Sequence, residues 1–216
     1  MTKWLWIVAG PNGAGKSTHT AKLVAAAQAA NPDVEIIKLN ADERTAELKQ
    51  LFPDRPQREL NLQAAQETDA SLAKAIAGDK PAILVETVLS SEKYKDDVLE
   101  AKARGYNIGL MFVSVYPPEL VLHRIETRVL RGGHNVESRK ALERYTKSHA
   151  NLIWFGQHAD RLFILDNTSP NGPVLVATKE AGKKLEHRAK GINHVLDHAI
   201  RALQKGKSYS PPLKQG

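Results

Sequence analysis

The sequence contains no cysteine. That excludes disulfide bonds, thiolate chemistry and zinc-finger frameworks. It has no apolar run approaching the ~20 residues that cross a bilayer, so no membrane partner is expected. Met1-Thr2-Lys3 leads straight into an apolar segment, which leaves no room for a signal peptide, and the chain is expected to be cytoplasmic. No segment repeats another. His194 and His198 stand four apart, but no glutamate follows the first, so the helical metalloprotease pattern is missing. Acidic residues are in deficit, and the chain carries a net +7. The excess is local: from residue 179 onward there are nine Lys/Arg against three Asp/Glu. A nucleic-acid enzyme would spread basic residues over its working face. Here nucleic acid is expected, if at all, only through this basic C-terminal tail.

What is present is a nine-residue phosphate-binding pattern, Gly10-Pro11-Asn12-Gly13-Ala14-Gly15-Lys16-Ser17-Thr18. It fits G-x-x-x-x-G-K-[ST], in which glycines let successive backbone N–H groups turn toward a phosphate. Lys16 adds a positive charge for the β/γ-phosphates, and Ser17 offers a hydroxyl to Mg²⁺. The dipole of the following helix points its positive end to the same place. Residues 4–9 form an apolar strand before the loop, and residues 18–30 read as the helix after it. The spacing therefore predicts a nucleoside triphosphate site built from Gly10, Asn12, Gly13, Ala14, Gly15, Lys16, Ser17 and Thr18, with Ser17 as the metal ligand.

Further strands are expected at 34–39, 81–85, 106–115 and 161–165, with a short edge strand at 174–177. Helices are expected from about residue 40, at 57–77, from Ser90-Ser91 to Arg104, from Pro117 to Gly132, at 137–155 and at 191–204. The last is amphipathic, with Ile192, Val195, Leu196, Ala199, Ile200 and Leu203 on one stripe. Strands alternating with helices indicate an α/β fold of the P-loop NTPase/kinase type. We expect a mostly parallel five-stranded sheet flanked by helices on both faces. One P-loop kinase domain would span 1–204, with a lid region at about 128–140 and the amphipathic helix 191–204. Residues 205–216 would be a basic disordered tail.

Three places outside the loop carry chemistry. Asn40 followed by Glu43 reads as a capping box, which puts Asp42 in a helix's first turn at a strand's C-terminal edge. Glu86-Thr87 closes an apolar strand, where ligands collect in open α/β sheets. Arg124, Arg128 and Arg131 recur at about one helical turn before Gly132-Gly133, as a cationic face before a hinge would. Arginine forks stabilise the charge on a phosphoryl group in flight.

As a string of nine residues the loop also looks like that of ABC-transporter ATPases. The chain has no Leu-Ser-Gly-Gly-Gln stretch, however, and no apolar strand ending in Asp-Glu. The whole chain instead resembles the zeta-toxin family, whose characterised members resemble UDP-N-acetylglucosamine kinases. The matching pieces are the P-loop, Leu39-Asn40-Ala41-Asp42-Glu43, Glu86-Thr87-Val88-Leu89-Ser90-Ser91 and Ala103-Arg104-Gly105-Tyr106. Arg124-Ile125-Glu126-Thr127-Arg128-Val129, Gly132-Gly133-His134-Asn135-Val136, Arg144-Tyr145 and Asp166-Asn167 follow in the family's order.

The resemblance implies an ATP- or GTP-dependent, Mg²⁺-requiring kinase that phosphorylates a hydroxyl of a nucleotide sugar. In it Lys16 holds the donor phosphates, Asp42 is the general base, and Asn40, Glu86 and Thr87 position the acceptor. Arg128, with Arg124, Arg131 or Arg144, steadies the transferring phosphoryl, and Asn167 belongs to the nucleotide site. A small helical antitoxin is the implied protein partner. The alternative is a P-loop NTPase or kinase acting on another small hydroxyl acceptor, or on a nucleic-acid end, without a toxin role.

Overall fold

A computed structural model of the chain describes residues 2–130 and 136–206. Its centre is one seven-stranded sheet in the order β2-β3-β1-β4-β5-β6-β7. The strands are β1 (Trp4–Ala9), β2 (Ile36–Asn40), β3 (Ala82–Thr87), β4 (Asn107–Ser114), β5 (Arg161–Asp166), β6 (Val174–Lys179) and β7 (Glu186–His187). β1 to β5 are mutually parallel wherever they pair, while β6 runs antiparallel to β5 and β7 antiparallel to β6.

The expected five-stranded sheet is thus corrected to seven. The parallel part is the legible part, because strands buried on both faces read as unbroken apolar runs. β6 is interior, not an edge, because the two-residue β7 covers its far side. A Glu-His pair has no periodicity to betray a strand.

Between the strands run α1 (Lys16–Ala30), α2 (Ala41–Leu51), α3 (Gln57–Ala77), α4 (Tyr94–Ala103), α5 (Glu119–Leu130), α6 (Ser138–His158) and α7 (His194–Lys205). Two boundaries differ in an instructive way. Ser90 and Ser91 do not cap α4; Lys93 occupies the cap position in helical conformation and no side chain closes the turn. α7 starts three residues later than expected, because Asn193 caps it by accepting from the N–H groups of Val195 and Leu196.

The larger core cluster joins Leu5, Ile7 and Ala9 of β1 with Leu72 and Ile76 of α3, Val98 of α4, Leu152 and Phe155 of α6, and Leu196 and Ile200 of α7. A second cluster lies directly under the phosphate loop: Ala14, Val113, Val121, Ile125, Tyr145 and Val195. The loop therefore rests on apolar contacts from β4, α5, α6 and α7, and its shape is fixed by packing from four elements.

Candidate functional site

The loop leaves the C-terminal end of β1, the middle strand of the parallel set. Gly10 turns it with φ +140°, and a Cβ there would sit 1.9 Å from the Val113 carbonyl oxygen. Gly15, at φ +92°, starts α1; a Cβ there would meet the Asn167 side-chain nitrogen at 2.5 Å. Both positions therefore require glycine for backbone conformation and for space. The first turn of α1 has no side-chain cap, so its N–H groups remain for a ligand. Thr18 is exposed in that turn.

Lys16 folds back so that its ammonium donates to the Pro11 carbonyl at 3.0 Å. Burial pushes the ammonium below the ordinary lysine value. The carboxylates of Glu86 and Asp42 pull it back up, while Arg128 adds to the lowering. Charged side chains from three other elements thus act on Lys16 at this end of the sheet.

Glu86 is the best-held of them, only 8% exposed. Its neighbour in the sheet is Val8, two residues before the loop begins. One carboxylate oxygen accepts from the Ser17 hydroxyl and the other from the Thr20 hydroxyl, each at 2.6 Å. The zeta-toxin resemblance implied an acceptor-binding role for Glu86; in the structure both of its oxygens are taken by α1. Thr20 is fully buried and went unnoticed in the sequence. Its signal was there, one turn after Ser17 on the same helical face.

Asn40 caps α2, its side-chain oxygen accepting from the N–H of Asp42 at 2.9 Å and of Glu43 at 3.4 Å. The returning arm of the expected capping box is not used, because Glu43 pairs with Lys38 at 2.6 Å. Capping leaves Asp42 exposed in the first turn, where the helix dipole favours its charge. Beside it a cleft of about 480 Å³ opens, lined by Lys38, Asn40, Glu43, Arg44, Glu67 and Ser71 among others. Thr87 ends β3, half-buried, and its hydroxyl accepts from the Leu89 N–H at 3.2 Å.

The arginines separate. Arg124 turns under the loop, donating to the carbonyls of Gly13 at 3.4 Å, Asn167 at 2.8 Å and Thr168 at 3.3 Å. Burial lowers its pKa, and Asp166 offsets part of that. Arg128, one turn later and half-buried, acts on Lys16. Arg144 is exposed on α6 and makes no hydrogen bond or ion pair with these groups among the described residues. Arg131, with residues 132–135 of the expected lid, lies outside the described residues. Asn167 does not project free into the site: its side-chain nitrogen donates to the Ala14 carbonyl at 2.8 Å. Asn12 is 4% exposed, and its side-chain oxygen has no partner among the described residues.

Among the described residues, no group of three or more His, Cys, Asp or Glu side chains is arranged to hold a metal ion. The oxygen donors at Ser17 and Glu86 still fit a hard cation that keeps waters and takes further oxygens from a bound phosphate, as Mg²⁺ does.

A family model described as an AAA domain (AAA_33) matches residues 5–152, more than half of the chain. The chain belongs to this AAA domain family. No curated protein matches it by sequence. Among solved structures, the AvrRxo1-ORF1:-ORF2 complex with ATP superposes with a TM-score of 0.71 at 16% identity, covering 100% of this chain and 66% of that one. The chain therefore spans about two thirds of that neighbour. The toxin–antitoxin system PezAT of Streptococcus pneumoniae gives a TM-score of 0.58 at 16% identity, covering 94% of this chain and 87% of that one. These likenesses establish the fold, a P-loop kinase-like α/β domain. The family match stops at residue 152, so β5, β6, β7 and α7 lie beyond it. No helix among the described residues is long and apolar enough to cross a membrane.

Proposed function

We propose that the protein is a Mg²⁺-dependent kinase that transfers the γ-phosphoryl group of ATP or GTP to a hydroxyl of a small acceptor. The observation that carries this is the convergence on Lys16 of Glu86 and Asp42, from the C-terminal ends of adjacent parallel strands, and of Arg128, from the last turn of α5. A phosphate cradle alone would serve any nucleotide-binding protein. An exposed carboxylate and an arginine that both act on the cradle lysine suit phosphoryl transfer, which depends on placement and charge neutralisation.

In this reading the loop N–H groups and Lys16 hold the β- and γ-phosphates. Ser17, steadied by Glu86, would hold the Mg²⁺, which neutralises phosphate charge when bound. Asp42 accepts the proton of the acceptor hydroxyl as its oxygen bonds to the γ-phosphorus. The bond from that phosphorus to the β–γ bridging oxygen breaks, and the nucleoside diphosphate leaves. Arg128 offsets the negative charge on the moving group. Arg124 and Asn167 hold the loop from below.

For the acceptor we propose a nucleotide sugar, UDP-N-acetylglucosamine first, bound in the polar cleft beside Asn40. The zeta-toxin resemblance and the structural likeness to PezAT support that choice; in the cleft Lys38 is paired with Glu43 and Arg44 with Glu47 and Glu67, so a diphosphate would have to compete with those carboxylates for them. The AvrRxo1 and PezAT neighbours are a two-component complex and a toxin–antitoxin system, which supports a small protein partner for this chain as well.

The test is transfer from labelled ATP·Mg²⁺ to a panel of UDP-sugars, with free phosphate followed in parallel. A labelled UDP-N-acetylhexosamine, absent with Lys16→Ala, is the expected result. Phosphate release without any labelled acceptor would reject the nucleotide-sugar assignment and turn the search to other hydroxyls, nucleic-acid ends included.

A further inference from the structure

Behind the phosphate loop lies a chain of buried polar groups that the proposed reaction does not use. It begins at Asn193, fully buried at the start of α7. The side-chain oxygen of Asn193 caps the helix, accepting from Val195 N–H and Leu196 N–H at 3.1 Å each. Its side-chain nitrogen donates to one carboxylate oxygen of Asp166 at 2.7 Å. Asp166 is 1% exposed at the end of β5, and its other oxygen accepts from the Thr168 N–H at 3.0 Å. Between them stands Asn167, which donates to the Ala14 carbonyl and accepts from Arg124. The Thr168 hydroxyl accepts from the Tyr116 N–H at 2.8 Å, closing the loop onto the segment that precedes α5.

From Asn193 to Ala14 the path therefore runs through Asp166 and Asn167, with each link a direct hydrogen bond or a peptide bond. Asn193 is fully committed, as oxygen to its own helix and nitrogen to Asp166. The helix itself is pinned from a second side. Asp197 accepts from the Gly191 N–H at 2.8 Å and meets the His187 ring nitrogen at 2.9 Å. Asp166, Asn167 and Asn193 all lie beyond residue 152, where the family match ends.

We infer that α7 is a working part of the nucleotide site, with Asn193 and Asp166 as the positioning pair that sets the 167–168 loop and, through Asn167, the curve of the phosphate loop at Ala14-Gly15. Neither residue touches a ligand. Because the Asn167 side-chain nitrogen donates to the Ala14 carbonyl at 2.8 Å, a displacement of Asn167 is carried to the turn just before Gly15 and so to the start of α1, where the phosphate N–H groups are. The inference rests on the proposed nucleotide binding. What it adds is that the C-terminal helix controls affinity for the nucleotide, not the transfer step.

The experiment compares ATP affinity, measured by calorimetry with Mg²⁺ well below the unfolding midpoint, in four proteins: wild type, Asn193→Ser, Asn193→Asp and the double variant Asp166→Asn/Asn193→Asp. Serine and aspartate both cap helices well, so α7 keeps its start in every variant. Serine removes the donor to Asp166. Aspartate replaces the donor with a second carboxylate. The double variant restores the bond with donor and acceptor exchanged.

The expected result is Kd raised several-fold by Asn193→Ser, about tenfold or more by Asn193→Asp, and returned to within about threefold of wild type by the double variant. KM for ATP should rise in parallel with kcat little changed. A purely structural pair would lower the melting temperature and leave Kd unaltered in the folded protein; that outcome overturns the inference, as does a double variant that binds no better than Asn193→Asp. If wild type itself binds neither ATP nor GTP, the nucleotide reading falls as well, a result distinct from normal wild-type binding with unaffected variants.

Discussion

Replacing Glu86 by glutamine separates two roles for this carboxylate. The resemblance to zeta toxins puts it on the acceptor; the structure puts it on the Ser17 and Thr20 hydroxyls at 2.6 Å each. Glutamine keeps the shape but turns one acceptor oxygen into a donor and removes the charge. A hydrogen bond to a charged group contributes about 1.5–3 kcal/mol, against about 1 for a neutral one. The hydroxyls can rotate to accept from the amide, so the net loss is about 2 kcal/mol, or roughly 30-fold in an equilibrium constant. If Glu86 orients Ser17 for Mg²⁺, that loss falls on the Mg²⁺-supported affinity for ATP. Without Mg²⁺ the sign reverses, because a negative charge has been taken away from beside the phosphates. ATP titrations by calorimetry, with Mg²⁺ and with EDTA, should therefore show the benefit of Mg²⁺ shrinking by roughly 30-fold, with affinity in EDTA unchanged or higher. An unchanged benefit of Mg²⁺ together with a raised KM for the acceptor would refute the reasoning and return Glu86 to the acceptor.

Three further outcomes are expected. Asp42→Asn should lower kcat by about 10²–10⁴ while ATP affinity holds, as removal of a general base does; wild-type turnover would rule the role out. ATP affinity should fall as pH rises toward and past the lowered pKa of Lys16, because only the ammonium attracts phosphate, and in Glu86→Gln the fall should begin at lower pH, since Glu86 is the largest influence raising that pKa. His149, fully buried between Ser114 and the Tyr145 carbonyl, has its pKa lowered by burial from 6.5 to about 4. The unfolded chain therefore takes up this proton first, and the stability present above pH 6.5 is lost as pH falls toward 4: about 2 kcal/mol by pH 5, or roughly 4–8 °C in melting temperature. His149→Gln should flatten that dependence in thermal melts, and an equally steep loss in the variant would assign it to other groups.

What the sequence made legible follows distance along the chain. The phosphate loop is a local pattern, and its strand and helix sit where the periodicity put them, with α1 starting two residues early at Lys16. The central strands β1, β3 and β4 showed as apolar runs because both of their faces are largely covered, whereas β2 at the edge, which has no fully buried residue, showed through Ile36, Ile37 and Leu39. β6 was legible too, as a short strand at 174–177, but β7 was not, since two residues carry no period. Asp42 was found because its cap is local, with Asn40 two residues away. The true contacts of Glu86 were hidden because they depend on the pairing of Val8 with Glu86, and no spacing within one segment reveals a register. The arginines show the limit of helical periodicity. It put Arg124 and Arg128 on one face, yet Arg124 is spent on carbonyls of the 13 and 167–168 loops and Arg128 acts on Lys16.

The division of labour in the site follows from sheet order. Apart from Arg128, the groups that would touch phosphate lie within the single stretch from Gly10 to Ser17, so their geometry is set by the turn itself. Groups that hold the stretch in place come from the ends of the strands beside it or one further out: Glu86 from β3, Val113 from β4, Asn167 from just past β5. Because β3, β1, β4 and β5 are consecutive in the sheet, these supports arrive within side-chain reach although up to 153 residues separate them along the chain. Asp42 follows β2, the edge strand of the parallel set and as far from β1 as β5 is, and is exposed where Glu86 and Val113 are buried and Asn167 half-buried. A base that must meet a changing acceptor belongs at the open edge, and a support that must not move belongs in the centre. On that ground substitutions at Glu86 or Asn167 should disturb nucleotide binding whatever the acceptor, while substitutions around Asp42 and the cleft beside it should change acceptor choice and leave nucleotide affinity near wild type. Alanine variants of Lys38 and Arg44, assayed for ATP affinity and for acceptor KM separately, would show that split; a large loss of ATP affinity in either would contradict it.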